Sequence, residues 1–123
     1  MADPRHLLGQ RAEEAVAAWL ISEGWHVLAR RWRCAGGELD LVCRDSAGTL
    51  VGIEVKSRRR SRAGTPAESV DRRRVARLRS SLASFQAQRS ESAASLRIDL
   101  VTVVPLADRS AWQLVRIPGI DAW

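Results

Sequence analysis

Several residue types are scarce or missing. Among 123 residues there is one lysine, one phenylalanine and one methionine, and neither tyrosine nor asparagine occurs. Two cysteines, Cys34 and Cys43, are too few for a disulfide framework and lack the spacing of a zinc site. No apolar run approaches the roughly 18 residues needed to span a bilayer. The opening Met-Ala-Asp-Pro-Arg-His has neither the apolar core nor the cleavage site of a leader. These absences lead us to expect a cytoplasmic protein with no membrane segment. The length fits a single domain, residues 1–123, with one real core.

What the chain does carry is basic charge. Lys and Arg total 20 against 14 Asp and Glu, a net charge of +6, and 19 of the 20 cations are arginine. With 18 alanines and no asparagine, much of that arginine reads as GC-rich coding background. The surplus still points to a polyanionic partner, nucleic acid first and an anionic membrane surface second. At 46% hydrophobic and 28% charged the chain is neither disordered nor fibrous.

Periodicity divides the chain into six or seven elements. Asp3-Pro4 reads as an N-cap with proline in the first turn. Leu8, Ala12, Ala15, Trp19 and Leu20 then recur at helical spacing, predicting a helix over 5–23 that Gly24 ends. Residues 25–33 have strand-like content. Residues 38–44 and 50–57 are the clearest strands, joined by a polar loop, 45–49, of hairpin length. After a basic stretch, Thr65-Pro66-Ala67-Glu68 reads as a capping box, with Glu68 as cap. Val75, Leu78, Leu82 and Phe85 give a second helix its apolar stripe. Residues 96–104 form a β-branched run expected to be a buried strand, and 111–117 a last edge strand.

Side-chain parity orders the hairpin. With the loop centred on Ala47, Leu41 faces Ile53 and Leu39 faces Val55, giving one apolar face shared with Cys43 and Val51. The same register sets Asp40 opposite Glu54 and Glu38 opposite Lys56 on the other face, with Gly52 leaving room beside them. Like charges directly opposite are destabilising unless a cation sits between them. Lys56 is one such cation; a divalent ion such as Mg²⁺, which favours carboxylate oxygens plus water and phosphate, is another. That constellation suits phosphodiester hydrolysis. A hairpin with one solvated face would show the same residues, so the two readings stand side by side.

Those residues also carry a likeness. Gly37-Glu38-Leu39-Asp40-Leu41-Val42, followed by Val51-Gly52-Ile53-Glu54-Val55-Lys56, resembles the G-E-I-D-L-I … F-V-E-V-K signature of the YraN-type family of small bacterial endonuclease-like proteins. The family is grouped with restriction-endonuclease-like (PD-(D/E)xK) nucleases and is similar to archaeal Holliday junction resolvases. The likeness extends to residues 9–13, 25–30, 64, 66–70 and 97–100, covering about 7–104. It implies metal ligation by Asp40 and Glu54, a catalytic Lys56, and Glu13 completing the site from the first helix. The cofactor it implies is Mg²⁺, with Mn²⁺ as a substitute. The chain departs from the pattern at Gly52, where an aromatic is common, and among Arg72 to Arg74, where a lysine is usual.

The expected fold is therefore restriction-endonuclease-like α/β, αβββαβ with a mixed central sheet flanked by helices and a C-terminal edge strand and tail over 105–123. The leading function is Mg²⁺-dependent cleavage of DNA, branched or structured DNA included. The alternatives are a catalytically silent nucleic-acid-binding protein of the same fold and a peripheral membrane-surface protein. Arg58, Arg59, Arg60 and Arg62, then Arg72 and Arg73, are the candidate phosphate contacts; a solvated basic face is their bland alternative. Glu14 reads as a solvent-facing neighbour of Glu13, Asp99 as a buried structural carboxylate paired with an arginine, and His6 and His26 as ordinary. Trp19 and Trp32 read as core, and Cys34 and Cys43 as small buried side chains beyond disulfide reach of each other. Trp112 and Trp123 could cover a homodimer surface.

Overall fold

The computed structural model describes residues 4–57, 71–106 and 111–122, with side chains from Gly9 onward. Helix α1 runs Pro4–Ser22, then strands β1 His26–Cys34, β2 Gly37–Arg44 and β3 Leu50–Ser57, helix α2 Arg72–Arg89, strands β4 Leu96–Pro105 and β5 Trp112–Ile117, and a 3₁₀ turn Ile120–Ala122. The arginines 58–62, the expected capping box at 65–68, Trp123 and the side chain of His6 lie outside the described residues.

Each helix is cut where its chemistry says. Gly24 at φ 88° ends α1, and the Trp25 amide donates back to the Leu20 carbonyl at 3.0 Å. Asp71, which the sequence pattern did not mark as a cap, accepts from the Arg73 amide at 2.9 Å and starts the α2 described here; Ser90 closes it in the left-handed region. The hairpin loop is tied by Asp45, whose Oδ1 accepts the amides of Ala47 and Thr49 at 3.0 and 2.9 Å.

The five strands lie in the order β1-β2-β3-β4-β5. All neighbours are antiparallel except β3 and β4, which run parallel, with α2 between them in the chain. The mixed α/β architecture expected from the pattern is the one found.

Both faces of the sheet are covered. Ala12, Val16 and Leu20 of α1 pack on Leu41, Val51 and Ile53; Leu78, Leu82 and Phe85 of α2 pack on Leu39, Val42 and Ile98. A hairpin with one solvated face is therefore excluded for β2 and β3. Trp19 packs against the α1-side core and Trp32 against the α2-side core, its ring edge-on to Phe85 at 5.3 Å. Trp112 packs against the α1-side core rather than standing free. Gly52 is also not an open approach for a ligand: the side chains of Ile98, Leu39 and Leu82 fill the space above it. Cys43 is buried and Cys34 half-buried, toward opposite ends of the β1–β2 pair. No helix among the described residues is long and apolar enough to cross a membrane.

Candidate active site

A break in strand geometry builds the site. Arg31, in the middle of β1, has φ 49°, a left-handed conformation costing about 1–3 kcal/mol for a side-chain-bearing residue. Pairing with β2 steps from Arg30↔Leu41 to Trp32↔Leu39, so Arg31 and Asp40 drop out of the ladder between them. On either side of that step the faces exchange: Leu41 lies in the α1-side core and Leu39 in the α2-side core. The expected single apolar face through Leu39, Leu41 and Cys43 is thus interrupted at Asp40.

The interruption turns Asp40 toward β3. The β2–β3 ladder ends at Leu41↔Ile53, and the next β3 amide in need of an acceptor, that of Val55, donates to Asp40 Oδ2 at 2.8 Å. Asp40 and Glu54 therefore meet at the first position beyond the ladder, as neighbours rather than as a rung. Burial pushes the Asp40 carboxyl from 3.8 up to about 6; the Val55 amide pulls the other way, and Glu54, Glu13 and Glu38 add to the rise.

Glu54 is buried, 6% exposed, and both its oxygens are taken by Arg74 from the first turns of α2: Nη2 to Oε1 at 2.6 Å and Nε to Oε2 at 3.1 Å. Lys56 shares one cleft with Glu54, Asp71, Arg74 and Val75. Glu13 lies in a second groove, of about 280 Å³, with Gln10, Glu14, Arg30 and Arg31, and Arg31 Nε donates to its Oε2 at 2.8 Å.

Several expectations need correction or completion. Glu38 pairs with Arg33 at 3.0 Å, its direct neighbour in the β1–β2 ladder, and not with Lys56, because the β2–β3 ladder stops short of that position. Arg72 and Arg73 are exposed at the start of α2, while the third arginine of the run, Arg74, turns in to Glu54. Arg31 and Arg74 do not stand out individually in the sequence. An acid buried on a strand demands a cation, which is the one signal that could have pointed to Arg74.

Asp99 is the structural carboxylate expected. It is fully buried and accepts from Arg97 at 2.8 and 3.1 Å, Arg116 at 2.9 Å and the Gly119 amide at 2.9 Å. Arg97 and Arg116 also lie over the Trp25 ring.

Asp40, Glu54 and Glu13 are all hard oxygen donors, and behind burial, the chief cause, Glu54 and Glu13 add repulsion at Asp40; such oxygens suit a divalent ion of the Mg²⁺ type. Among the described residues no three acids are gathered closely enough to grip such an ion as they stand. Arg74 and Arg31 occupy two of the three, so an ion would have to exchange with them.

The model of "Uncharacterised protein family UPF0102" matches residues 12–103. The chain belongs to the UPF0102 family. It is 44% identical over 97 residues to a UPF0102 protein of Beutenbergia cavernae, covering 79% of this chain and 81% of that one. A UPF0102 protein of a Nocardioides species is 42% identical over 100 residues, covering 81% and 80% of the two chains. One from Acidothermus cellulolyticus is 51% identical over 78 residues, covering 63% and 58%. The YraN-type likeness read from the motifs is thereby borne out. In this UPF0102 chain the matched stretch contains Glu13, Arg31, Asp40, Glu54, Lys56 and Arg74.

Proposed function

We propose that this UPF0102 chain is a divalent-metal-dependent nuclease that hydrolyses phosphodiester bonds in DNA, branched or otherwise structured DNA included, and that it works in the cytoplasm. The observation that carries this reading is the meeting of half-buried Asp40 with buried Glu54 at the frayed end of the β2–β3 ladder, Glu54 lying two residues before Lys56. Two acids side by side in a partly buried place destabilise a fold, so their presence argues for a cation and a task.

Asp40 and Glu54 would hold Mg²⁺ or Mn²⁺, with Glu13 completing the set. Such an ion polarises a phosphoryl oxygen and lowers the pKa of water. The Val55 amide fixes the Asp40 carboxylate through Oδ2, and among the described residues Oδ1 is left for this work. Lys56 brings a compact ammonium beside the acids, able to orient the attacking water or offset charge building on the phosphate. Arg72 and Arg73 are exposed at the rim and suited to hold flanking phosphates, a role also assigned to Arg58, Arg59, Arg60 and Arg62.

The second reading is a nucleic-acid-binding protein of the same fold without turnover. It is favoured by the Arg74–Glu54 and Arg31–Glu13 pairs, which satisfy two acids without a metal. Purified protein incubated with duplex, flap, four-way-junction and single-stranded DNA in Mg²⁺ or Mn²⁺ separates the two. The nuclease reading expects cutting of at least one substrate and its loss in Asp40→Ala. Salt-sensitive DNA binding that survives Asp40→Ala, with no cutting anywhere in the panel, establishes the second reading instead.

A further inference from the structure

The cleft beside Glu54 holds two acids, Glu54 and Asp71, and two cations, Lys56 and Arg74, while Glu13 pairs with Arg31 in a separate groove. The site is therefore close to neutral before any ion enters. A divalent cation added to it would leave a surplus of two positive charges in a partly buried place, unless a guanidinium leaves or a polyanion arrives.

Arg74 is the group built to leave. Its side chain is half exposed while the Glu54 side chain it grips is 8% exposed, so it can swing to solvent without breaking the core. The two hydrogen bonds to Glu54 use both carboxylate oxygens, the same oxygens a metal would need. Glu54 cannot be left bare, because a buried carboxylate without a cation is strongly destabilising. Metal and Arg74 are thus alternatives at one acid. Once free, the Arg74 guanidinium stands at the mouth of the cleft that also holds Lys56, next in sequence to the exposed Arg72 and Arg73. Its planar fork matches a phosphate as well as it matched the carboxylate.

We infer that Arg74 is an exchangeable partner of Glu54: a divalent cation displaces it, and the freed guanidinium takes a phosphate of the bound nucleic acid. The inference rests on the metal site proposed above and assigns its regulation. Its consequence is reciprocal coupling. The cation binds weakly to the free protein, nucleic acid raises cation affinity, and the cation raises nucleic-acid affinity by the same factor. The device keeps the site closed to metal until a phosphodiester backbone is present to receive the arginine.

The test is equilibrium binding by the full chain, with no turnover measured. Mn²⁺ affinity is read by electron paramagnetic resonance for wild type, Arg74→Gln and Glu54→Gln. Affinity for a labelled DNA hairpin, its integrity checked on a gel, is read by anisotropy with and without Mn²⁺. We expect Arg74→Gln to bind Mn²⁺ about tenfold tighter than wild type in the absence of DNA, and the Mn²⁺-dependent gain in DNA affinity to be present in wild type but lost in Arg74→Gln. Should Arg74→Gln not fold, Arg74→Lys, which keeps the charge but not the two-pronged grip, is expected to move both readings in the same directions by less. Mn²⁺ binding that needs Glu54 but is no tighter in Arg74→Gln overturns the inference and leaves the metal site standing. Mn²⁺ binding that is absent both from Arg74→Gln and from wild type with DNA, or that is unchanged in Glu54→Gln, overturns the metal site and the inference with it.

Discussion

Replacing Asp40 by asparagine should make the metal-free protein more stable at neutral pH. The amide side chain keeps the shape of the carboxyl and an oxygen for the Val55 amide, while removing a charge the fold disfavours. Asp40 titrates at about 6 in the folded chain against an ordinary 3.8, chiefly because burial penalises the ionised form, with Glu54, Glu13 and Glu38 adding repulsion. Between those two values the folded state holds a proton the unfolded state has lost. The stability linked to that proton is therefore fully present below about pH 4 and declines as pH rises through 6. The full difference corresponds to about 3 kcal/mol, reduced to about 2 because Asp40 is only half-buried and its repelling neighbours are partly solvated. Urea unfolding of wild type and Asp40→Asn across pH 3.5 to 8, with chelator present, gives the measurement. The variant should be about 2 kcal/mol more stable near pH 7.5, with the gap closing as pH falls and gone below about 4. An equal or less stable variant at pH 7.5, or a gap that does not change with pH, would refute the argument.

Two further substitutions test the packing that holds the site. Gly52→Ala places a methyl 3.0 Å from Ile98 Cδ1 and 3.2 Å from Leu39 Cδ2, both fully buried, so it should cost about 1–2 kcal/mol despite the smaller unfolded-state entropy. Adding Ile98→Val, which deletes the obstructing atom, should recover part of that loss, and a strictly additive double mutant in urea unfolding would show the crowding argument to be wrong. Asp99→Asn removes the charge shared by Arg97 and Arg116 and should cost about 2–3 kcal/mol at pH 7, tempered by the partial exposure of both arginines. A loss below about 0.5 kcal/mol, the range of an ordinary surface change, would mean that Asp99 is not the pin that the geometry makes it.

The elements themselves were readable because local and tertiary signals agree in them. The first helix was expected at 5–23 and runs Pro4–Ser22; the hairpin strands were expected at 38–44 and 50–57 and run Gly37–Arg44 and Leu50–Ser57. Gly24 ends the first helix by its own backbone chemistry, Asp45 ties the loop over 45–49 through the amides of Ala47 and Thr49, and β4 ends at Pro105. The loop centred on Ala47 gave the right β2–β3 register for the same reason: Leu41 does meet Ile53 and Cys43 does meet Val51.

The site was readable only to the point where that alternation breaks. Parity presumes an unbroken pleat, and nothing in the run Ala29-Arg30-Arg31-Trp32 marks Arg31 as left-handed, since arginine is not a residue that seeks positive φ. At the step that holds this residue Leu39 and Leu41 lie in opposite cores, and Asp40 between them turns to the Val55 amide of β3. Asp40 and Glu54 thus come together for a different reason from the one their spacing suggests. They are not rungs of a ladder but the groups left where the ladder ends, one capping an unpaired amide and the other held by an arginine from the next helix. That origin fits the proposed chemistry better than a regular sheet would. A continued ladder would use the Val55 amide for pairing, whereas the open end fixes one oxygen of Asp40 and, among the described residues, leaves the other for a ligand. The left-handed backbone at Arg31 and the burial of an acid at Asp40 are two separate departures from the most stable arrangement, converging on one spot. Independent costs gathered at a single place are what a site selected for function rather than stability is expected to show.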